Sequence, residues 1–242
     1  MANVDLNDSE SLESSLRIET IFILVFELIL GILAAAVIFP IWSPGLVNSL
    51  AGDQAKGFWY LSRGSAIAAF VLLWISMASG LIITNKMARM WPGGPTAFSV
   101  HEYTSLLGIA FGAFHALILL GDNFINYTLP QVLLPFASVN YHPFWVGIGQ
   151  LGLYLWIIVS ATFYVRKSIG HKAWRLIHFA SFAVFLMALL HGFSSGTDSN
   201  TIWAQAMYWF AGGSLLFLTI YRVLIGLLKP TTAGGRAAPA VK

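Results

Sequence analysis

Long apolar stretches separated by short polar segments dominate the chain. Six of them reach the roughly 20 residues that a helix needs to cross about 30 Å of hydrocarbon. Lipid-facing segments must satisfy their own backbone polar groups, and these stretches lack the alternation of membrane β-strands, so helices are favoured. The pattern predicts an all-α integral membrane protein, a six-transmembrane-helix bundle with spans near residues 20–39, 63–84, 99–121, 143–165, 174–193 and 202–228.

Composition supports this class of protein. Apolar residues make up 57% of the chain and charged residues 10%, with a mean hydropathy of +0.75, far outside the range of soluble domains. Cysteine is absent, which excludes disulfides, thiolate zinc sites and iron–sulfur clusters. Any bound metal must therefore be held by His, Met or carboxylate side chains.

The distribution of Lys and Arg predicts the orientation, because cytoplasmic loops carry the excess of basic residues. Lys56 and Arg63 fall on one side of the membrane, and the other side holds Arg17, Lys86, Arg89, Arg166, Lys167, Lys172, Arg175, Arg222, Lys229, Arg236 and Lys242. Both termini are expected in the cytoplasm, and the expected location is the bacterial cytoplasmic (inner) membrane. This topology accounts for the pI near 9.2, so membrane lipid is an expected partner and nucleic acid is not.

Four histidines lie inside two of the apolar stretches. His101 and His115 are fourteen residues apart, a step that climbs about 21 Å and returns to nearly the same helix face. His178 and His191 are thirteen apart, which climbs about 20 Å but leaves them about 140° apart on an ideal helix. Local unwinding, helix tilt or differently rotated cofactors must make up that difference.

Topology divides the four histidines into two pairs. The third and fifth spans run in the same direction, so His101 and His178 lie near the cytoplasm, and His115 and His191 lie near the outer face. Each pair is predicted to ligate one haem iron from opposite sides. Imidazoles that hydrogen-bond across helices or relay protons are the alternative.

Small residues lie between the first two histidines on the same helix face. Ser105, Gly108 and Gly112 leave almost no side-chain bulk, so a flat macrocycle would fit against them. The alternative is a close helix–helix contact, which such spacing often makes in membranes.

The segment from Arg63 to Arg222 resembles the ferric reductase-like transmembrane domain, shared by ferric reductases, NADPH oxidases and the haem subunit of methionine sulfoxide reductase systems. The matching residues are His-Glu-Tyr-Thr-Ser-Leu-Leu-Gly at 101–108, His115, Trp-Arg-Leu-Ile-His at 174–178, and His191. The resemblance implies one-electron transfer across the membrane through two haems b.

Unlike the oxidases of that family, this sequence has no flavin or nicotinamide domain. The resemblance therefore implies an electron-donor flavoprotein, reductase or quinol, with a flavin or quinone at the cytoplasmic side, and an outer acceptor such as ferric iron or oxygen. An oxidoreductase component is expected, and whether the chain is an enzyme by itself stays open. A metal or proton transporter and a quinone-linked membrane anchor subunit are the alternative functions.

Two arginines are candidates for binding haem propionates, because a guanidinium pairs with carboxylates in a bidentate geometry. Arg175 precedes His178 by one turn and would serve the inner haem, while Arg63 would serve the outer haem. Both could instead be interfacial anchors.

The chain divides into four predicted segments. They are an acidic cytoplasmic N-terminal segment (1–18), an extra transmembrane helix with an external loop (19–62), the ferric reductase-like domain (63–228) and a disordered cytoplasmic tail (229–242). The external loop from Asp122 to Tyr141 is apolar but interrupted by Pro130 and Pro135. It is expected to lie against the bundle, either as packing or as the cover of a buried cofactor.

Overall fold

The computed structural model describes residues 17–42, 57–139 and 141–228. This part of the chain is helical and contains no strands. Its helices are α1 (Ile18–Trp42), α2 (Gly57–Thr84), α3 (Gly94–Ile118), α4 (Leu129–Leu133), α5 (Pro143–Tyr164), α6 (Arg166–Ile169), α7 (His171–His178), α8 (Ser181–Ser195) and α9 (Ile202–Leu228).

Five helical segments of the described residues are long and apolar enough to cross a membrane, which makes this a multi-pass membrane protein. They are α2, α3 with the 3₁₀ turn that continues it to Gly121, α5, α7 together with α8, and α9. Helix α1 coincides with the first predicted span and carries an exposed Glu27. A sixth span and the orientation stay predictions, and most of the predicted segments 1–18 and 229–242 lie outside the described residues.

Helix α2 begins earlier than the sequence pattern predicted. The predicted span starts at Arg63, whereas the helix starts at Gly57, so the predicted boundary between 62 and 63 falls within a helix. Arg63 does not end the helix, because arginine is a good helix former, and its guanidinium pairs with Asp198.

The spans pack as two helix pairs that share one core. Helix α2 lies antiparallel along α3, α5 lies along α8, and α2 also contacts α8 and α9. The core lies where these helices meet and contains Phe70, Leu73, Trp156, Val184 and Leu215. The helices that carry the four histidines are therefore supported by neighbours, α3 by α2, and both α7 and α8 by α5.

The fifth predicted span is interrupted between its two histidines. Helix α7 ends at His178 and α8 begins at Ser181. Two hydrogen bonds of the i to i+3 type cross the break, from the Ala180 amide to the Ile177 carbonyl at 2.9 Å and from the Phe182 amide to the Phe179 carbonyl at 3.2 Å. Such turns wind by about 120° per residue where an α-helix winds by about 100°, so the break reduces the angular mismatch expected from the thirteen-residue spacing.

The external loop lies against the bundle, as predicted. Ile125, Tyr127 and Val132 form a buried cluster that packs on Trp59 and Tyr141. The phenol oxygen of Tyr127 lies 2.7 Å from the hydroxyl of Ser138. Burial raises the pKa of Tyr127 above its usual value of 10.0, so the phenol is neutral at pH 7 and suits this buried position.

One side chain of α5 fastens α4 to the bundle. The amide Nε2 of Gln150 donates to the backbone carbonyls of Gln131 and Val132, both at 2.8 Å. Gln150 itself is 9% exposed. One amide group thus donates to two carbonyls near the end of α4, and these bonds hold α4 against α5.

Substitution of Gln150 with Leu is expected to loosen this loop. Loss of the amide leaves two carbonyls without their donor, which costs roughly 1–3 kcal/mol for each group that remains buried. Hydrogen exchange of residues 122–139 should accelerate by at least tenfold while the spans stay protected. The matched variant Gln205→Leu changes an exposed glutamine of α9 and should leave this exchange unchanged; equal acceleration in both variants would contradict the assigned role.

Candidate cofactor sites

The structure brings the four histidines together as two facing pairs. The first pair is His101 of α3 and His178 of α7, with ring centroids 6.0 Å apart and planes at 75°. The second pair is His115 of α3 and His191 of α8, at 6.2 Å and 65°. These are the partners that the topology predicted, while their role as ligands stays a prediction.

The ring separation suits one metal between two imidazoles. An imidazole nitrogen binds a metal at about 2.0 Å and lies about 1.1 Å from its ring centre, so imidazoles on opposite sides of a metal have centroids roughly 6.2 Å apart. Both pairs match this separation. Each pair therefore has a ring separation at which its two histidines would hold one metal ion between them.

Ser76 of α2 determines the tautomer of His101. The His101 Nδ1 lies 2.7 Å from the Ser76 carbonyl oxygen and 3.1 Å from the Ser76 hydroxyl. A carbonyl only accepts hydrogen bonds, so Nδ1 must carry the proton and donate it. The other nitrogen, Nε2, then has the free lone pair that a metal requires.

Ser62 of α2 makes the same contacts to His115. The His115 Nδ1 lies 2.9 Å from both the carbonyl oxygen and the hydroxyl of Ser62. Ser62 and Ser76 are buried, at 2% and 3% exposed. The sequence interpretation missed both serines, although their separation of fourteen residues equals that of His101 and His115.

The α5 backbone holds His191. Its Nδ1 donates to the Trp145 carbonyl at 2.8 Å. A Cβ built on Gly149 would lie 2.6 Å from the Nδ1 and 2.7 Å from the Cγ of His191, so only glycine leaves room for the imidazole at this position. Three of the four histidines are therefore the Nδ1–H tautomer.

His178 differs from the other three histidines. Its Nδ1 is buried, with no hydrogen-bond partner among the described residues. Its ring stacks on Trp174 at 5.3 Å and 30°. The orientation of His178 thus depends on ring packing within α7.

A cavity of about 250 Å³ adjoins the second pair. Its lining includes both histidines of that pair and, on the loop side, Tyr127 and Val132. The external loop therefore both packs on the bundle and covers this cavity.

The small residues between the histidines of α3 serve two purposes. The prediction of a groove for a macrocycle is wrong at Gly108, because the Trp156 indole fills this space. A Cβ built on Gly108 would lie 2.4 Å from the indole ring. The Trp156 Nε1 donates to the Ser105 hydroxyl at 3.0 Å. Gly112 does line the cavity, and Trp156 forms part of its wall. Because Gly108 is seven residues from each histidine of α3, the indole lies between the two levels.

The two predicted arginines lie at opposite ends of the bundle. Arg63 borders the cavity and forms an ion pair with Asp198, in which its Nε lies 3.0 Å from one carboxylate oxygen. Arg175 is exposed on α7. Arg63 therefore reaches the second pair's cavity already paired with a carboxylate, a contact that the sequence pattern did not predict.

Acidic side chains near the histidine pairs have other partners, since Asp198 in the cavity lining pairs with Arg63. Glu102 is buried beside His101 in sequence, and it accepts a hydrogen bond from the Tyr164 hydroxyl at 2.9 Å. Within residues 17–42, 57–139 and 141–228, no three His, Cys, Asp or Glu side chains group as a metal-ion site.

Comparison of the chain with family models, curated proteins and solved structures gives no match. The resemblance to the ferric reductase-like domain therefore depends on the histidine spacing and the short motifs around it.

Proposed function

We propose that this protein carries electrons across a membrane through two haems b, each held by one histidine pair. The observation that carries the proposal is the facing of His101 with His178 and of His115 with His191 at nearly equal ring separations. The two levels are about 21 Å apart along α3. Two imidazoles on opposite sides are what a haem iron takes from a protein in this ligation.

The hydrogen bonds of three of the four histidines support this cofactor. Nδ1–H bonds to backbone carbonyls leave Nε2 available in His101, His115 and His191. Haem bound at each pair would supply a one-electron redox centre. The chain itself orients the imidazoles, covers the second site with the external loop, and places the Arg63 guanidinium at the edge of the cavity.

The direction of transfer follows from the predicted topology. The first pair would face the cytoplasm of a bacterium and receive electrons from a flavoprotein, a reductase or a quinol. The second pair would pass them to an acceptor at the outer face. Arg63, with its Asp198 partner, is the proposed propionate contact at the outer level, and Arg175 is the proposed contact at the inner level.

Absorbance spectroscopy of the purified full-length chain tests the proposal. The reduced-minus-oxidised spectrum should show b-type bands, and extraction should yield two haems per chain. Well-folded protein that is supplied with haem and binds none would contradict the proposal. In that case divalent-metal and proton flux into vesicles containing the protein would test the transporter alternative.

A further inference from the structure

We propose that Ser62 and Ser76 are positioning residues. Ser62 sets the ring orientation and the ligand strength of His115, and Ser76 sets those of His101, so each serine acts on one redox centre. The proposal rests on the proposed haem function. It assigns control of both centres to α2, a helix that supplies no ligand of its own.

Each serine holds its histidine by three contacts. The serine carbonyl and hydroxyl both lie within 3.1 Å of the imidazole Nδ1. The same hydroxyl donates to the backbone carbonyl of the histidine at 3.1 Å in both cases. The hydroxyl therefore bridges the imidazole and the α3 backbone, which restrains rotation of the ring relative to α3.

The register of α2 explains how an imidazole reaches a carbonyl within a helix. A helical side chain covers the turn before its own Cα, so the residue four positions after a carbonyl normally shields it. That residue is Ala66 for Ser62 and Gly80 for Ser76. A Cβ on Gly80 would lie 3.3 Å from the His101 ring, which shows how closely the imidazole approaches.

The same register recurs on α5, where the Trp145 carbonyl accepts from His191 and Gly149 follows four residues later. Here the contact is made by a carbonyl alone, without a hydroxyl. The serine hydroxyls are thus an addition to a shared backbone arrangement, and within the described part of the chain this addition is made to the two histidines of α3 and not to His191.

Hydrogen bonding at Nδ1 strengthens the imidazole as a ligand. A donor N–H that is bonded to an acceptor fixes the ring and raises the basicity of the ligating nitrogen. An imidazole that donates more electron density favours the oxidised iron. Loss of the serine hydroxyl should therefore raise the midpoint potential of the haem. The effect should be larger at the first site, because His178 has no Nδ1 partner among the described residues and Ser76 orients the opposite ligand.

Single serine variants test the proposal without depending on turnover. Ser76→Ala and Ser62→Ala keep the backbone carbonyl, so both haems should remain bound. We expect Ser76→Ala to raise the midpoint potential and change the low-spin EPR anisotropy of the first centre only, and Ser62→Ala to do the same at the second centre only. Ser76→Thr, which retains the hydroxyl, should restore most of the wild-type signal.

Ser79→Ala is the matched control, because Ser79 is also buried on α2 but its hydroxyl donates to the Ile75 carbonyl of its own helix at 2.7 Å and to no other described residue. It should leave both centres unchanged. Potentials and EPR signals that are unaltered in all three alanine variants, with two haems still bound, would overturn the proposal while leaving the haem function intact. Wild-type chain without haem would instead refute the function on which it rests.

Discussion

Replacement of His115 with Ala is expected to lower the haem content from two per chain to one. The substitution removes one of the two proposed haem ligands of the second pair and leaves His191 without the imidazole whose ring centre lies 6.2 Å away. The first pair should keep its haem, because it lies about two helical turns beyond Gly108 and the intervening Trp156 indole. Haem extraction and the reduced-minus-oxidised spectrum measure both effects.

Two further variants make this result specific. His101→Ala should remove the other haem, so the two single variants should have different residual potentials. His142→Asn changes a histidine at the start of α5, where φ is 39°, to a residue that tolerates this left-handed backbone, and it should keep both haems. Loss of both haems, or of neither, in the His115 variant would contradict the prediction that the two haems bind at independent sites.

Much of the fold follows from hydrophobic length. The predicted spans from 99 to 228 coincide with α3, α5, α7 with α8, and α9, because a run of about 20 apolar residues has few alternatives to a helix in lipid. The start of α2 was less predictable. The predicted span began at Arg63, but arginine is a good helix former, so the helix continues through it to Gly57; its partner Asp198 is distant in sequence and becomes a neighbour only on folding.

The pairing of the histidines was predictable from spacing and topology, but its supports were not. The tautomers depend on carbonyl groups of Ser62, Ser76 and Trp145, and every residue has a carbonyl, so a sequence does not mark which one accepts. The break after His178 likewise has no glycine or proline at Phe179 or Ala180 to announce it. Such features arise from tertiary contacts between helices.

Substitution of Gly149 is predicted to affect binding of the second haem about as strongly as the loss of a histidine of that pair. A Cβ there would meet the base of the His191 ring at 2.6–2.9 Å, and this part of the side chain cannot move without displacing the whole imidazole. Gly149→Ala should therefore break the 2.8 Å bond to the Trp145 carbonyl. Overpacking of this kind costs roughly 1–3 kcal/mol, and the lost hydrogen bond adds about 1 kcal/mol.

The second haem should accordingly be lost or bound more weakly in Gly149→Ala, with a lower unfolding temperature, whereas the first haem persists. Gly64→Ala is the matched control, since no atom lies within 4 Å of a Cβ built there. In that open helical position alanine should stabilise the chain by up to about 1 kcal/mol. The same chemical change would thus have opposite effects on thermal unfolding, and only the Gly149 variant should alter the haem count. If both variants kept two haems with equal stability, the close approach of His191 to α5 would not be a requirement of the second site.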